Sequence, residues 1–416
     1  MPIRDNIHPG ARRIVESLVK AGFEAYIVGG AVRDLLLGLH PKDYDIATSA
    51  TPEEVRELFG RRRARIIGRR FRIVHVYDGG DCFEVSTFRR EPGEEERKGR
   101  QTDDGVMLWR DNTYGSLEED ARRRDFTVNS LYYDIHADPE HSVVDHVGGL
   151  EDLRRGHVRA TIAARRQLEE DPVRILRALK LVGQYEFQLA EETDEAVREL
   201  ADRIALSSRA RLFEELLKIL GKPYAFRTFQ AFHQHGFLDH FWPNFGRLWN
   251  SADGELMQAM LAERDRQMAT RDYTQAKTLM IATLCLPAAA RDIGGDPRHL
   301  WEHDMGLERP CRDAVVEFMK PFPVPRFLSA RSRDVLLLLP RFAQADDPSR
   351  RLQRHPEYKY ARELFLLWGR CVGLPDEDLA RWPEPPDGEP HHRKPKRSSR
   401  GGRRRRGKRG RGGEKS

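Results

Sequence analysis

Residues 26–51 constrain the fold of this chain more than any other part of its sequence. The apolar run at residues 25–28 predicts a short buried strand, and Gly29-Gly30 permits a turn whose backbone amides can approach an anion. Residues 31–37 then predict a helix that points its N-terminus at the same anion, where Arg33 adds a positive charge. This order of elements indicates a mixed unit of strands and helices with an anion site at its first turn.

Two aspartates follow this turn, one residue apart. Residues 43–47 predict a strand, in which positions i and i+2 share a face, so the carboxylates of Asp43 and Asp45 would lie side by side. Such a pair repels unless a proton or a cation neutralises it, and Mg²⁺ prefers carboxylate oxygens with phosphate completing its shell. An isolated pair is more often a solvated turn. The preceding glycine turn and Arg33 favour a metal site, where two ions can activate a 3′-hydroxyl and stabilise a leaving pyrophosphate.

A third carboxylate is expected from a neighbouring strand, and the sequence offers two candidates. Residues 82–88 alternate well enough to place Glu84 on one face of a strand with Ser86 and Phe88. Asp125 is the second candidate, but it follows three arginines and could equally form an ion pair at the start of a helix. The sequence alone does not choose between Glu84 and Asp125.

Seven motifs occur in an order that resembles one known family. They are GGAVRDLLLG, PKDYDIAT, EVSTFRRE, RRRDFTVNSLYYD, DHVGGLEDLRRGHVR, EEDPVRILRALKL and ARLFEELLKIL. Together they resemble the class II nucleotidyltransferases, the family of bacterial poly(A) polymerases and CCA-adding enzymes. The resemblance is strong over residues 21–220 and weaker to about residue 368.

Two segments resemble the poly(A) polymerase branch of that family more than the CCA-adding branch. Residues 66–75, IIGRRFRIVH, are similar to the segment that marks poly(A) polymerases, with Ile73 where leucine is usual. Residues 108–116, LWRDNTYGS, also resemble that branch. No HD phosphohydrolase domain follows, and His303-Asp304 is an isolated pair that we interpret as chance.

The resemblance assigns expected roles to individual residues. Asp43 and Asp45 match the metal-binding pair, and Asp125 matches the third active-site carboxylate, with Glu84 as its rival for the metal. The remaining matches concern the nucleotide. Its triphosphate would meet Gly29, Gly30, Arg33 and Asp34; its sugar and phosphate would meet Arg124, Asp125 and Asn129; its base would meet Asp171 and Arg174.

The last pair also has a physical interpretation of its own. If residues 170–174 form a helix, Asp171 and Arg174 share a face, and Pro172 fits the first turn. Asp171 can accept from an amino group while Arg174 donates, which imitates a base-pairing edge without a template. The alternative is an ordinary surface ion pair. Farther along, we expect an ion pair between Glu214 and Lys218 on an amphipathic helix, with Arg211 three residues before Glu214. We interpret this helix as structural, holding the neck against the head.

The reaction implied by the resemblance is template-independent addition of AMP from ATP to RNA 3′ ends, which supports mRNA processing and decay. The expected cofactor is Mg²⁺, with Mn²⁺ as an alternative. The expected partners are ATP, the 3′ ends of mRNA and other transcripts, and RNA-decay proteins. The alternatives are a CCA-adding tRNA nucleotidyltransferase and a non-catalytic RNA-binding protein, although the intact acids argue against the latter.

The expected fold class is α+β. We predict a small mixed-sheet head at residues 1–152, an all-helical neck at 153–220, a helical body and leg at 221–380, and a linker with a tail at 381–416. The polar segment at 90–106 predicts a mobile loop near the site. The aromatic residues between positions 226 and 249 could stack on RNA bases, but their helical spacing favours a core.

Charge is concentrated at the C-terminus. Residues 391–416 hold 13 lysines or arginines and one acid, so this tail carries +12, while the chain carries +6 and the rest therefore −6. Without apolar side chains the tail is expected to be disordered and to bind RNA phosphates. The four cysteines show no Cys-x-x-Cys spacing, and no signal peptide or membrane span is evident. These features indicate reduced thiols and a cytoplasmic protein.

Overall fold

The computed structural model describes residues 3–68, 72–91, 113–251, 253–270, 273–294, 296, 307–343 and 350–385. Several sequence predictions concern residues outside these ranges. They are most of the polar loop at 90–106, the segment at 108–112, the pair His303-Asp304, and the basic tail at 391–416.

A mixed seven-stranded sheet forms the first part of the chain, as predicted. Its strands are β1 (Ala25–Val28), β2 (Asp45–Thr48), β3 (Ala64–Ile67), β4 (Ile73–Asp78), β5 (Asp81–Thr87), β6 (Leu131–Tyr133) and β7 (Val143–Asp145). Their order across the sheet is β3-β4-β5-β2-β1-β6-β7. The pair β2 and β5 is parallel, whereas the other neighbours are antiparallel.

Both faces of the central strands are covered, which explains their continuous apolar runs. Ile27 and Ile46 pack into the larger head core, while Val28 and Ala47 belong to a smaller cluster with Tyr132 on the other face. The helices of this part are α1 (Pro9–Lys20), α2 (Gly30–Leu36), α3 (Pro52–Arg63), α4 (Leu117–Arg123) and α5 (Gly149–Arg155). Capping boxes begin α3 and α4, so each N-terminus is set by local sequence.

The strand predicted at residues 43–47 begins two residues later, at Asp45. Val28 pairs with Asp45 as the last step of the β1–β2 ladder, because β1 ends there and the chain turns at Gly29. Residues 43 and 44 therefore have no ladder partner on β1. The hydroxyl of Tyr44 instead donates to the carbonyl of Asn6 at 2.8 Å. This geometry places the glycine turn directly beside the first residue of β2.

After the head, the described chain is helical apart from two short strands, β8 (His157–Val158) and β9 (Gln188–Leu189), which pair in parallel. The helices are α6 (Ala164–Glu170), α7 (Val173–Tyr185), α8 (Glu191–Glu199), α9 (Arg209–Leu220), α10 (Ala225–Gln234), α11 (Leu238–Phe241), α12 (Pro243–Trp249), α13 (Gly254–Thr270), α14 (Lys277–Ile293), α15 (Glu308–Asp313), α16 (Arg326–Ala343), α17 (Arg350–Gln353), α18 (Tyr358–Val372) and α19 (Asp376–Ala380). None of the described helices is long and apolar enough to cross a membrane.

Helix α7 contributes to two hydrophobic cores. Its Leu176 and Leu179 pack in the core of the helical region, which extends from Ala160 to Trp382. Its Ala178 and Leu181 pack in the core of the head. Helix α7 is thereby fixed against the head, which is how a side chain on α7 can reach the residues of the head.

The aromatic set at residues 226–249 is core, as predicted. Phe229, Phe232, Phe241 and Trp242 are fully buried, and Phe229 packs edge-on against Phe245 with 4.7 Å between ring centroids. These rings stabilise the helical region from within and are not accessible to RNA bases.

Candidate active site

The glycine turn between β1 and α2 forms one wall of an open cleft with a volume of about 690 Å³. Gly29 adopts φ 77°, a conformation that an L-residue rarely takes, and its amide donates to the carbonyl of Leu131 at 3.0 Å. A Cβ at Gly29 would lie 3.6 Å from the guanidinium of Arg124, an ordinary van der Waals distance, so the backbone conformation is what excludes other residues. Glycine is therefore required at this turn, and the backbone of Gly29 and Gly30 lines the cleft.

Two carboxylates meet beside this turn because β2 and β5 are parallel. Asp45 is the register partner of Glu84, and both line the cleft. Asp45 is exposed to solvent at the cleft, yet desolvation by the protein around its carboxylate, then the charge of Glu84, raises its pKa to about 6; Asp43 adds to the rise and Arg124 opposes it. Asp43 is exposed, just before β2, and does not line the cleft. The structure thus pairs Asp45 with Glu84, with Asp43 at the edge.

The donor set of this corner suits a hard divalent cation. Within the described residues, histidine, cysteine and acidic side chains form no group of three that could hold a metal by themselves. Two carboxylates that repel each other nevertheless form the partial shell that Mg²⁺ commonly takes from protein, with substrate phosphates and water as the remaining ligands. Asp45 and Glu84 therefore fit such an ion.

Asp125 has different neighbours. It accepts from the amide of Phe126 at 2.9 Å and from the Asn129 side chain at 3.1 Å, and it lies 3.6 Å from the guanidinium of Arg177. Burial alone would raise the pKa of Asp125, but the positive charges of Arg177 and Arg174 and these hydrogen bonds hold it below its usual range. Asp125 is therefore a charged acceptor with a cationic partner on the neck.

Arg124 is held by two side chains that the sequence did not single out. Its Nε donates to Asp120 at 3.1 Å and to the hydroxyl of Tyr132 at 3.0 Å, while that hydroxyl donates to Asp120 at 2.6 Å. Burial opposes the charged form, yet Tyr132 and Asp120 raise the pKa of Arg124 overall. Arg124 lines the cleft beside Gly29 as a fixed cation.

Arg33 lines the cleft, but its guanidinium is also engaged from three sides. It donates to Asp34 at 2.7 Å, to the hydroxyl of Tyr185 at 2.5 Å and to the Asn129 amide oxygen. The guanidinium carbon also lies 4.4 Å from the centre of the Tyr185 ring. Asp34, which does not line the cleft, accepts from the Tyr185 hydroxyl at 2.7 Å. Arg33 thus connects the head to α7.

The expected single helix through residues 170–174 is wrong. Helix α6 ends at Glu170, Asp171 is extended with φ −146° and ψ 93°, and α7 begins at Val173. Pro172 explains the break, because a proline disfavours helical geometry in the residue before it. Asp171 and Arg174 still line the same cleft, and the amide of Arg174 donates to the carbonyl of Asp171 at 2.9 Å.

Asp171 pairs with an arginine that the sequence indicated only as scaffold. Arg211 of α9 donates to the two oxygens of Asp171 at 2.9 and 2.7 Å and also lines the cleft. The predicted pair of Glu214 with Lys218 is wrong, since Lys218 instead lies 2.8 Å from Glu215. Arg177, the partner of Asp125, is another cleft residue that the sequence did not indicate. Local spacing could not have identified Arg211 as the partner of Asp171 or Arg177 as the partner of Asp125.

Comparisons with known proteins agree with these features. Residues 25–159 match a family model described as the poly A polymerase head domain, and residues 186–247 match one described as the probable RNA and SrmB- binding site of polymerase A. A protein named poly(A) polymerase I from Salmonella typhi is 34% identical over 91% of this chain and 82% of its own length. A CCA-adding enzyme from Lactobacillus johnsonii is 31% identical over 75% of this chain and 72% of its own.

The fold has a counterpart among solved structures. The crystal structure of the Bacillus stearothermophilus CCA-adding enzyme in complex with CTP matches with a TM-score of 0.60 and 28% identity. The match covers 90% of this chain and 81% of the other.

Proposed function

Because this chain belongs to the nucleotidyltransferase family of bacterial poly(A) polymerases and CCA-adding enzymes, we infer that its cleft transfers AMP from ATP to the 3′ end of RNA without a template. The protein is a polynucleotide adenylyltransferase. The observation that carries this activity is the parallel pairing of Asp45 with Glu84 beside the Gly29 turn. The choice of a poly(A) tail over a CCA end is supported by poly(A) polymerase relatives that match across about nine-tenths of the chain.

We propose that Asp45 and Glu84, with Asp43 at the edge, hold the divalent cation, which we take to be Mg²⁺. When bound, the ion would supply activation of the primer hydroxyl and charge for the departing pyrophosphate. The protein's own contribution is position and fixed charge. The backbone at Gly29 and Gly30 admits the triphosphate closely, and Arg124, held by Asp120 and Tyr132, offers it a cation that needs no reorientation.

The neck residues are proposed to select the base. Asp171 has oxygens that can accept from the amino group of adenine, and Arg174 can donate to a ring nitrogen. Arg211 would orient Asp171 through its two hydrogen bonds. Asn129 and Asp125, which are hydrogen-bonded to each other, are proposed to contact the ribose and phosphate. These roles remain proposals for each residue.

We also propose protein partners and a cellular compartment for this enzyme. RNA-decay proteins are candidates, and residues 186–247 match the family segment described for RNA and SrmB. The four cysteines are free thiols, as is usual in a reducing compartment, so we propose the cytoplasm.

The experiment that tests the function extends two labelled RNAs, an unstructured oligomer and a tRNA lacking its 3′ CCA, with each nucleoside triphosphate and Mg²⁺. Long ladders on the oligomer with ATP alone are expected. A stop after C, C and A on the tRNA alone would favour the CCA-adding alternative. The similarity to CCA-adding enzymes is the reason for including this RNA. No extension of either RNA would overturn both and favour a non-catalytic RNA-binding protein.

A further inference from the structure

We propose that a basic pocket between α16 and α17 binds the phosphodiester backbone of RNA upstream of the 3′ end that is being extended. This inference rests on the proposed function, because it takes the RNA substrate as the ligand. The pocket has a volume of about 470 Å³, and its described lining residues lie at 334–341 on α16 and at 351–356. It lies outside the segment at 186–247 that matches the family's RNA-binding model.

The charge of this pocket is strongly unbalanced. Three exposed arginines line it: Arg341 on α16, Arg351 on α17 and Arg354 directly after α17. Among the described residues, no carboxylate forms an ion pair with any of the three. Among the described residues that line the pocket, only Asp334 is acidic, and it already accepts from Arg333 at 3.1 Å. Three guanidinium groups around one cavity repel each other, and an anion between them would remove that repulsion.

A fourth donor is available from His355. Its Nδ1 accepts from the amide of Glu357 at 3.2 Å, so in the neutral ring the proton is on Nε2. The pocket is therefore lined by guanidinium and imidazole donors. Guanidinium groups pair with phosphate through two parallel hydrogen bonds, which suits a chain of phosphodiesters.

The walls of the pocket are firmly attached to each other. Arg331 of α16 donates to both oxygens of the buried Glu357 at 2.7 and 3.1 Å, which fixes the segment after α17 against α16. Ser332 of α16 donates to the carbonyl of Thr278 at 3.1 Å, and Leu352 of α17 is buried. The pocket is thus held open by the fold before any ligand binds, which lowers the cost of binding.

The path of the C-terminus supports a long polyanion as the occupant. Trp382 packs against Phe342, the neighbour of Arg341, with 4.6 Å between ring centroids, and the hydroxyl of Tyr358 donates to the carbonyl of Pro383 at 2.9 Å. The chain therefore leads from beside the pocket toward the tail at 391–416, which carries +12. A polyanion such as RNA complements both the arginines of the pocket and the basic composition of residues 391–416, whereas a free phosphate offers a single charged group.

The test uses the full chain and a triple variant, Arg341→Gln, Arg351→Gln and Arg354→Gln. Its control replaces Arg4, Arg61 and Arg62 by glutamine, three exposed arginines outside the 186–247 segment that form no ion pair with described residues. Both variants change net charge equally. The KM for RNA is measured with oligomers of about 6 and about 30 nucleotides, and RNA binding is measured across salt concentrations.

We expect the pocket variant to raise the KM for the longer RNA about tenfold and to reduce the salt slope of its binding by about two, since each phosphate contact on single strands contributes about 0.7. The KM for ATP and extension of the short RNA should stay unchanged. The proposal would be overturned if the control variant weakened RNA binding as much as the pocket variant does. It would also be overturned if the pocket variant raised the KM for both RNAs equally, or if it changed neither KM nor binding. Failure of the unmodified protein to extend either RNA would overturn the proposed function instead, while the binding measurement would still decide the pocket.

Discussion

At the scale of single residues, two carboxylates that share one corner of the cleft are the groups to which we assign the metal chemistry. Asp45 and Glu84 are register partners on parallel strands, and the cost of holding both charged appears in the pKa of Asp45, raised to about 6. A site that destabilises its own charges in this way is arranged for a ligand that neutralises them.

We predict that Asp45→Asn stabilises the free protein at neutral pH. The folded protein retains the proton of Asp45 up to about pH 6, whereas the unfolded chain releases it near its ordinary value, so stability falls as pH rises through that window. In unfolding experiments without divalent ions, the Tm of the variant should exceed that of the parent at about pH 7.5 and approach it at about pH 4. Asp138→Asn, at an exposed acid, is the control. A pH-independent difference would contradict the prediction.

A second prediction separates Glu84 from Asp125 as the third metal carboxylate. Mg²⁺ should raise the Tm of the parent protein and of Asp125→Asn, but not that of Glu84→Gln, because Glu84 neighbours Asp45 whereas Asp125 pairs with Arg177. Both Glu84→Gln and Asp125→Asn should reduce the rate of RNA extension at least about 100-fold. If Mg²⁺ stabilises Glu84→Gln and fails to stabilise Asp125→Asn, the assignment is reversed.

At the scale of elements, two long-range contacts fix the neck to the substrate cleft. Arg211 of α9 holds Asp171, which lies between α6 and α7, and Tyr185 at the end of α7 reaches Arg33 and Asp34 on α2. Each contact joins a helix of the neck to a proposed nucleotide contact. Orientation of the base and of the triphosphate therefore depends on how these helices pack.

Arg211→Gln is expected to reduce the preference for ATP over CTP about tenfold, measured as the ratio of kcat/KM values, because Asp171 loses both hydrogen bonds from Arg211 and keeps the one from the amide of Val173. The Tm should change little, since the ion pair is partly exposed and such pairs contribute little stability. Arg209→Gln on the same helix, at an exposed arginine, serves as the matched control. Unchanged nucleotide preference would show that Asp171 is oriented without Arg211.

Tyr185→Phe is expected to raise the KM for ATP by about two- to tenfold, the effect of one hydrogen bond, while kcat changes less. The substitution keeps the ring under the Arg33 guanidinium and removes the hydroxyl that bridges Arg33 and Asp34. Tyr77→Phe on β4 is the control. A fall in Tm with no change in KM would assign Tyr185 a structural role only.

At the scale of the whole molecule, charge is divided between residues 1–390, with a net charge of −6, and the tail at 391–416, with +12. RNA binding must overcome the negative charge of residues 1–390, and we propose that the cleft, the α16–α17 pocket and the tail supply basic surfaces for it. Contacts of this kind act on phosphates and carry no sequence information. This distribution suits an enzyme whose primer can have any sequence.

Deletion of residues 391–416 is predicted to weaken RNA binding, to lower its salt slope and to shorten the poly(A) tails made in one binding event. A variant of equal length with the 13 basic residues replaced by glutamine should behave like the deletion, which separates charge from length. Binding and product length are measured on the same RNA. Unchanged affinity and salt slope would exclude a role for the tail in RNA binding.

Local spacing in the sequence determined the elements and the family of this protein. The strand at Ala25–Val28, the glycine turn, the helix after it and the buried aromatic set all follow from hydrophobic period and from the conformational freedom of glycine. The ordered motifs identified the nucleotidyltransferase family and the candidate site residues. They did not decide between Glu84 and Asp125 as the third carboxylate, and the helical spacing expected at residues 170–174 placed Asp171 and Arg174 wrongly on one helix.

Only the tertiary structure decided which charged groups are neighbours. The parallel pairing of β2 with β5 put Glu84 beside Asp45, and the packing of α9 within the neck put Arg211 on Asp171, 40 residues away. Tyr185 reaches Asp34 across 151 residues. The physical reason is that spacing along a chain sets the face a side chain occupies within its own element, whereas the partner across the cleft depends on how separate elements pack together.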